Sequence, residues 1–75
     1  MTTMADAVNP THYQFSNGTQ VIDITENLNF NRGNAVKYVA RAGRKGAYAQ
    51  EIEDLQKARW YLDREIARVM SERNK

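Results

Sequence analysis

The sequence predicts an all-α protein: a short extended N-terminal lead-in, then three helices, the third long, assembling as a helical homo-oligomer. Three observations predict it. Apolar residues recur at helical spacing beyond residue 20. The last such pattern is longer than a 75-residue globule can cover. The chain also has no cysteine and one histidine, which leaves self-association as the usual remedy for a small core.

Residues 1–11 are polar and small, without apolar periodicity, and read as a flexible lead-in, leaving 12–75 as a single helical domain. Pro10 biases Asn9 away from helix. His12, Tyr13 and Phe15 alternate with polar residues, too briefly to require a strand. Ser16-Asn17-Gly18-Thr19 is a turn signal, with Thr19 or Asn17 able to cap the first helix.

That first helix is expected from about Gln20 to Leu28, where Val21, Ile22, Thr25 and Leu28 form one stripe. Its β-branched content makes a strand the competing reading; the stripe and Glu26 favour helix. The second is expected from about Arg32 to Ala42, capped by Asn31, with Gly43 just past its end. Val36, Val39, Ala40 and Gly43 fit its apolar spacing. The third is expected from about Ala49 to Glu72, with Ile52, Leu55, Ala58, Leu62, Ile66 and Val69 as its core stripe. Acids in its first turns (Glu51, Glu53, Asp54) and Arg68 and Arg73 near its end complement the helix dipole. Twenty-four residues span about 36 Å, against a diameter of about 29 Å for a compact chain of this length. Ile66, Val69 and Met70 then overhang, and a partner chain is the simpler outcome.

Composition narrows the functional classes. The chain is 41% hydrophobic and 27% charged, with net charge +2. Its length excludes a two-domain enzyme, and no apolar run approaches the roughly 20 residues of a membrane span. Neither a basic n-region nor an apolar h-region is seen at the start, so no secretory signal is expected. Absent cysteines exclude disulfides and thiolate chemistry and fit a cytoplasmic home.

Charge is unevenly spread. Arg32, Lys37, Arg41, Arg44 and Lys45 fall between Glu26 and Glu51 with no acid among them. Lys37 and Arg41 share a helical face, Asn34 lies one turn earlier, and Tyr38 is alongside. Such a cluster repels itself unless an anion occupies it or acids such as Glu51, Glu53 and Asp54 pair with it. With an anion, Arg supplies a planar fork for phosphate oxygens and Lys a point charge. Tyr38, Trp60, Tyr61 and the His12-Tyr13 pair offer flat surfaces to a base. The second helix, entered through Asn31-Arg32-Gly33-Asn34, would add free backbone N–H donors. Asp54, Lys57, Ala58 and Tyr61 line one flank of the third helix, where Glu53 and Lys57 pair at i, i+4.

Several chemistries lack their residues. Gly43-Arg44-Lys45-Gly46 has neither the length nor the hydroxyl of a phosphate loop. The lone His12 has no visible triad partner. No cofactor is required by any motif; Mg²⁺ enters only with a bound nucleoside triphosphate, and Asp54 is its weak candidate ligand.

His12-Tyr13, Gly33-Asn34-Ala35-Val36-Lys37-Tyr38, Arg41, Lys45-Gly46 and Asp54-Leu55-Lys57-Ala58-Trp60-Tyr61-Leu62 together resemble the small phage-encoded SaV-like family, often described as nucleotide kinase-like. The similarity covers roughly His12 to Ile66. It implies a phage protein acting on or with nucleotides in the cytoplasm of an infected cell, with His12, Asn34, Lys37, Arg41 and Lys57 as matching site positions.

The leading expectation is a phosphate-recognising nucleotide-binding protein, sequestering a nucleotide signal of host defence and having little or no catalytic activity. Its expected ligand-binding residues are His12, Tyr13, Asn34, Lys37, Tyr38, Arg41, Arg44, Lys45, Lys57 and Tyr61. A nucleotide kinase-like enzyme is the second reading. A DNA- or RNA-binding or host-protein-inhibiting module is the third, and the modest net charge argues against extended duplex binding.

Overall fold

A helical hairpin dominates the chain, and small residues and ion pairs close it where large apolar side chains were expected. The computed structural model describes residues 10–74. Among these, a 3-10 turn at Thr11–Tyr13 precedes helices α1 (Val21–Thr25), α2 (Phe30–Arg41) and α3 (Tyr48–Arg73). The all-helical class and the long third helix are as the sequence predicts. Of the expected lead-in, residues 1–9 lie outside the described residues, and Thr11 already belongs to the 3-10 turn.

The Ser16–Thr19 turn forms as read, with Gly18 in the left-handed region at φ 86°. Asn17 Oδ1 accepts the Thr19 amide at 3.0 Å, which stabilises the turn and leaves Asn17 unable to cap the helix. The cap position is Gln20, whose backbone amide donates to Asp23 Oδ2 at 2.8 Å. The expected caps Thr19 and Asn17 are therefore corrected to Gln20. α1 also ends at Thr25 rather than Leu28, because the next amides bond back over tighter turns, Asn27 to Ile24 and Leu28 to Thr25.

α2 starts two residues earlier than expected. Asn29, not Asn31, is its cap, since Asn29 Oδ1 accepts the Arg32 amide at 2.9 Å. Asn31 lies inside the first turn. Two of the amides expected to be free are engaged: Arg32 N–H is spent on the cap and Gly33 N–H on Asn29 O at 2.8 Å. At the other end Gly43 takes φ 77° just past Ala42, the left-handed exit that glycine permits. Gly46, at φ 83°, completes the reversal into α3.

The largest correction concerns α3. Of its expected core stripe only Ala58 is buried; Ile52, Leu55, Leu62, Ile66 and Val69 stay exposed. The face turned to α2 consists of Asp54, Ala58, Tyr61 and Glu65, at i, i+4, i+7 and i+11. Val21, Ala35 and Ala58 are the buried apolar residues among those described. The overhang is as expected, with Ile66, Val69 and Met70 facing solvent at the free end of α3.

Candidate functional site

Two carboxylates anchor the hairpin, and the site is built outward from the first. Asp54 is completely shielded from solvent. Arg41 closes on it from α2, with Nη2 2.7 Å from Oδ1 and Nε 3.2 Å from both oxygens. Gln50 Nε2 donates to the same Oδ1 at 3.0 Å. These partners hold the Asp54 carboxyl below its ordinary range, Arg41 being the larger influence and outweighing burial. The Arg41 guanidinium is correspondingly more basic, through Asp54 first and the Tyr13 hydroxyl second. Asp54 is thus fully engaged, which corrects its candidacy as a Mg²⁺ ligand. Among the described residues no cluster of three His, Cys, Asp or Glu side chains is suited to a metal.

The second carboxylate was not foreseen. Glu65, buried three turns further along the same face, accepts from Arg32 Nε at 2.6 Å, Arg68 Nε at 2.7 Å and Asn29 Nδ2 at 2.6 Å. Asn31 Nδ2 adds a longer bond at 3.4 Å. Arg68 foremost, then the two asparagines and Arg32, holds its carboxyl well below the usual range. The sequence did carry the signal: Asp54 and Glu65 are eleven residues apart, three helical turns, with Ala58 and Tyr61 between them on one face.

Around the Arg41–Asp54 pair the structure assembles most of the expected site residues. Tyr38 is the hub. Its ring stacks on Tyr61 with centroids 6.0 Å apart and planes inclined by 12°. Three cations approach the same ring, Lys37 Nζ at 4.5 Å, Arg41 Cζ at 5.2 Å and Lys57 Nζ at 5.4 Å. Tyr61 is flanked edge-on by Phe30 and by Trp60, which is mostly exposed. Beside this cluster a cleft of about 180 Å³ opens, and Asn34 and Lys37 line it. Lys57 carries its expected pair with Glu53, 3.2 Å on the surface, a contact that solvent makes weak. Lys37 makes no ion pair among the described residues.

His12 and Tyr13 sit at the other edge, their rings 4.2 Å apart. Burial lowers the His12 pKa, and Lys45, Arg41 and Arg44 lower it further, so the imidazole is neutral near pH 7 and registers a positive surrounding field. Lys45 is exposed on the turn and contributes charge only. Arg44 does something different from what was expected of it. Its guanidinium donates to the backbone carbonyls of His12 (3.2 Å) and Gln14 and lies 4.6 Å from the Phe15 ring centroid. These donors hold the N-terminal turn against the hairpin, an engagement the sequence did not suggest for Arg44. Arg41 is similarly engaged, by Asp54, and Lys57 by Glu53, whereas Lys37 makes no ion pair among the described residues.

Residues 8–63 match the family described as protein of unknown function (DUF3310). That span covers the 3-10 turn, α1, α2 and α3 through the Tyr38–Tyr61 cluster. The chain belongs to the DUF3310 family. No curated protein and no solved structure matches it. In this DUF3310 protein the matched region ends before Glu65, so the first carboxylate anchor and all the expected site residues fall inside it, while the second anchor falls outside. No helix among the described residues is long and apolar enough to cross a membrane.

Proposed function

We propose that this chain is a nucleotide-binding protein that works as a homo-oligomer and holds a phosphate-bearing ligand on the Tyr38–Tyr61 face. The single observation that carries the reading is the convergence of Lys37, Arg41 and Lys57 on the Tyr38 ring. Of the three, the Lys37 ammonium lies over an aromatic face with no ion pair among the described residues, which poises it for an anion, and the ring system beside it suits a base. Lys37 and Lys57 take the phosphate oxygens as point charges, and Asn34 donates from the adjoining cleft. A base lies against Trp60 or Tyr61. Arg41 and Lys45 raise the local positive potential without needing direct contact. The resemblance to the phage-encoded SaV-like family supports a nucleotide over another anion. Sequestration of a signalling nucleotide needs tight binding and no transition-state chemistry, which a chain of this size can provide.

Calorimetric titration of the intact protein with AMP, ATP with and without Mg²⁺, a cyclic dinucleotide and short single-stranded DNA tests the reading. Binding of one nucleotide class with unchanged ligand recovered afterwards is the expected result. Lys37→Ala should weaken it at least fivefold, about 1 kcal/mol. A phosphorylated product would replace sequestration with the kinase-like reading. Binding only to DNA, with steep salt dependence, would replace it with the nucleic-acid reading.

A further inference from the structure

The apolar seam of α3 has an identifiable occupant. Ile52, Leu55, Arg59, Leu62, Ile66 and Val69 recur at alternating steps of three and four, the spacing of a two-helix seam. Its apolar members are 38–56% exposed. The seam continues into an apolar groove of about 400 Å³ that Phe15, Ile24, Val36 and Val39 share with Leu62. We infer that a second copy of this chain covers the seam, α3 against α3, antiparallel about a two-fold axis near residue 61. The inference rests on the homo-oligomer part of the proposed function and is independent of the ligand.

Burial comes first. Val21, Ala35 and Ala58 are the buried apolar side chains of the described chain, and three small residues do not form a core. The seam is therefore part of what keeps the fold together, and its cover must be present whenever the chain is folded. A second copy meets that condition, whereas a partner met only occasionally does not.

Charge fixes the direction. Arg59 is the one charge within the seam and Asp63 lies one turn on, and neither side chain makes an ion pair or hydrogen bond among the described residues. Antiparallel pairing about residue 61 sets Arg59 beside Asp63 of the partner subunit, and symmetry makes the pair twice. Parallel pairing sets Arg59 against Arg59 of the partner subunit instead. The midpoint of the seam, between Ile52 and Val69, falls at the same place, so the two seams cover each other end to end. At 3.6 residues per turn the seam and the Lys57–Trp60 flank lie on opposite sides of α3, so the Tyr38–Tyr61 face stays open in both copies.

Sedimentation velocity should give twice the 8.6 kDa chain mass at micromolar concentration. Arg59→Asp and Asp63→Arg should each weaken the dimer by about tenfold or more through like-charge contact. The double variant should restore it to within about threefold. In otherwise wild-type protein, which has no cysteine of its own, nitroxide labels on Met70→Cys, beside the seam, should lie roughly 27 Å or more apart across the dimer, nine residues on each side of the axis. A monomer at every concentration overturns the homo-oligomer reading itself. A dimer with labels closer than about 15 Å, or one that the double variant fails to restore, overturns the antiparallel arrangement alone.

Discussion

Arg41 grips Asp54 across the hairpin, Nη2 2.7 Å from Oδ1, with the carboxylate wholly out of contact with water and the guanidinium still reaching the Tyr38 ring. One side chain thereby couples fold and site. Charges this well buried are held by each other, and deleting one leaves the other stranded.

The two halves of that pair should differ on deletion. Arg41→Ala strands a carboxylate with only Gln50 to bond it and should destabilise by about 3–5 kcal/mol. Asp54→Ala leaves a guanidinium that retains some solvent and should cost less. Replacing both by leucine should cost far less than the two single changes together. Urea melts of the three variants, read as midpoints at constant slope, check this.

Acid should unfold the protein through the same carboxylates. Both Asp54 and Glu65 have folded values below their unfolded ones of about 3.8 and 4.5. The unfolded chain therefore binds more protons as pH falls, and the stability the two groups contribute is present above pH ~4.5 and lost below it. Helical ellipticity at 222 nm should hold from neutrality to about pH 5 and fall at lower pH. Glu65→Gln should lower stability at pH 7 and flatten that acid limb, since the group no longer titrates.

What the sequence disclosed divides along physical lines. α3 was legible because its acids, bases and apolar period all agree over 26 residues. The exit from α2 was legible because Gly43 supplies the positive φ that the reversal needs. The packing direction was not, since periodicity finds an apolar stripe without saying which neighbour covers it. Asn31, Tyr38 and Arg41 of α2 reach Glu65, Tyr61 and Asp54 of α3, and these polar partners draw in the Asp54–Ala58–Glu65 face. In the site, residue types and spacing identified Lys37, Tyr38, Lys57 and Tyr61, which do gather. The Arg44 clamp was not legible because an arginine in a glycine turn looks the same whether or not it holds backbone carbonyls 30 residues away.

That backbone clamp gives Arg44 a separable phenotype. Arg44→Ala removes bonds to His12 and Gln14 carbonyls and the support under Phe15, at about 1–2 kcal/mol. α2 and α3 do not depend on it. Amide exchange should accelerate at Tyr13, Gln14 and Phe15, with protection across α3 unchanged. Uniform acceleration would mean that the turn and the hairpin open as one unit.

His12 reports on the site without perturbing it, being the chain's one histidine. In the free protein its NMR titration midpoint should lie below 6.5, because burial and the Lys45, Arg41 and Arg44 charges all disfavour the imidazolium. An anion on the Tyr38–Tyr61 face offsets those charges and should raise the midpoint. By linkage the ligand then binds more tightly as pH falls from 8 to 6, with proton uptake on binding. Lys37→Ala should reduce the ligand-induced rise together with the affinity. A midpoint that does not move when AMP or a cyclic dinucleotide saturates the protein would place the ligand away from the field His12 senses, and with it the site.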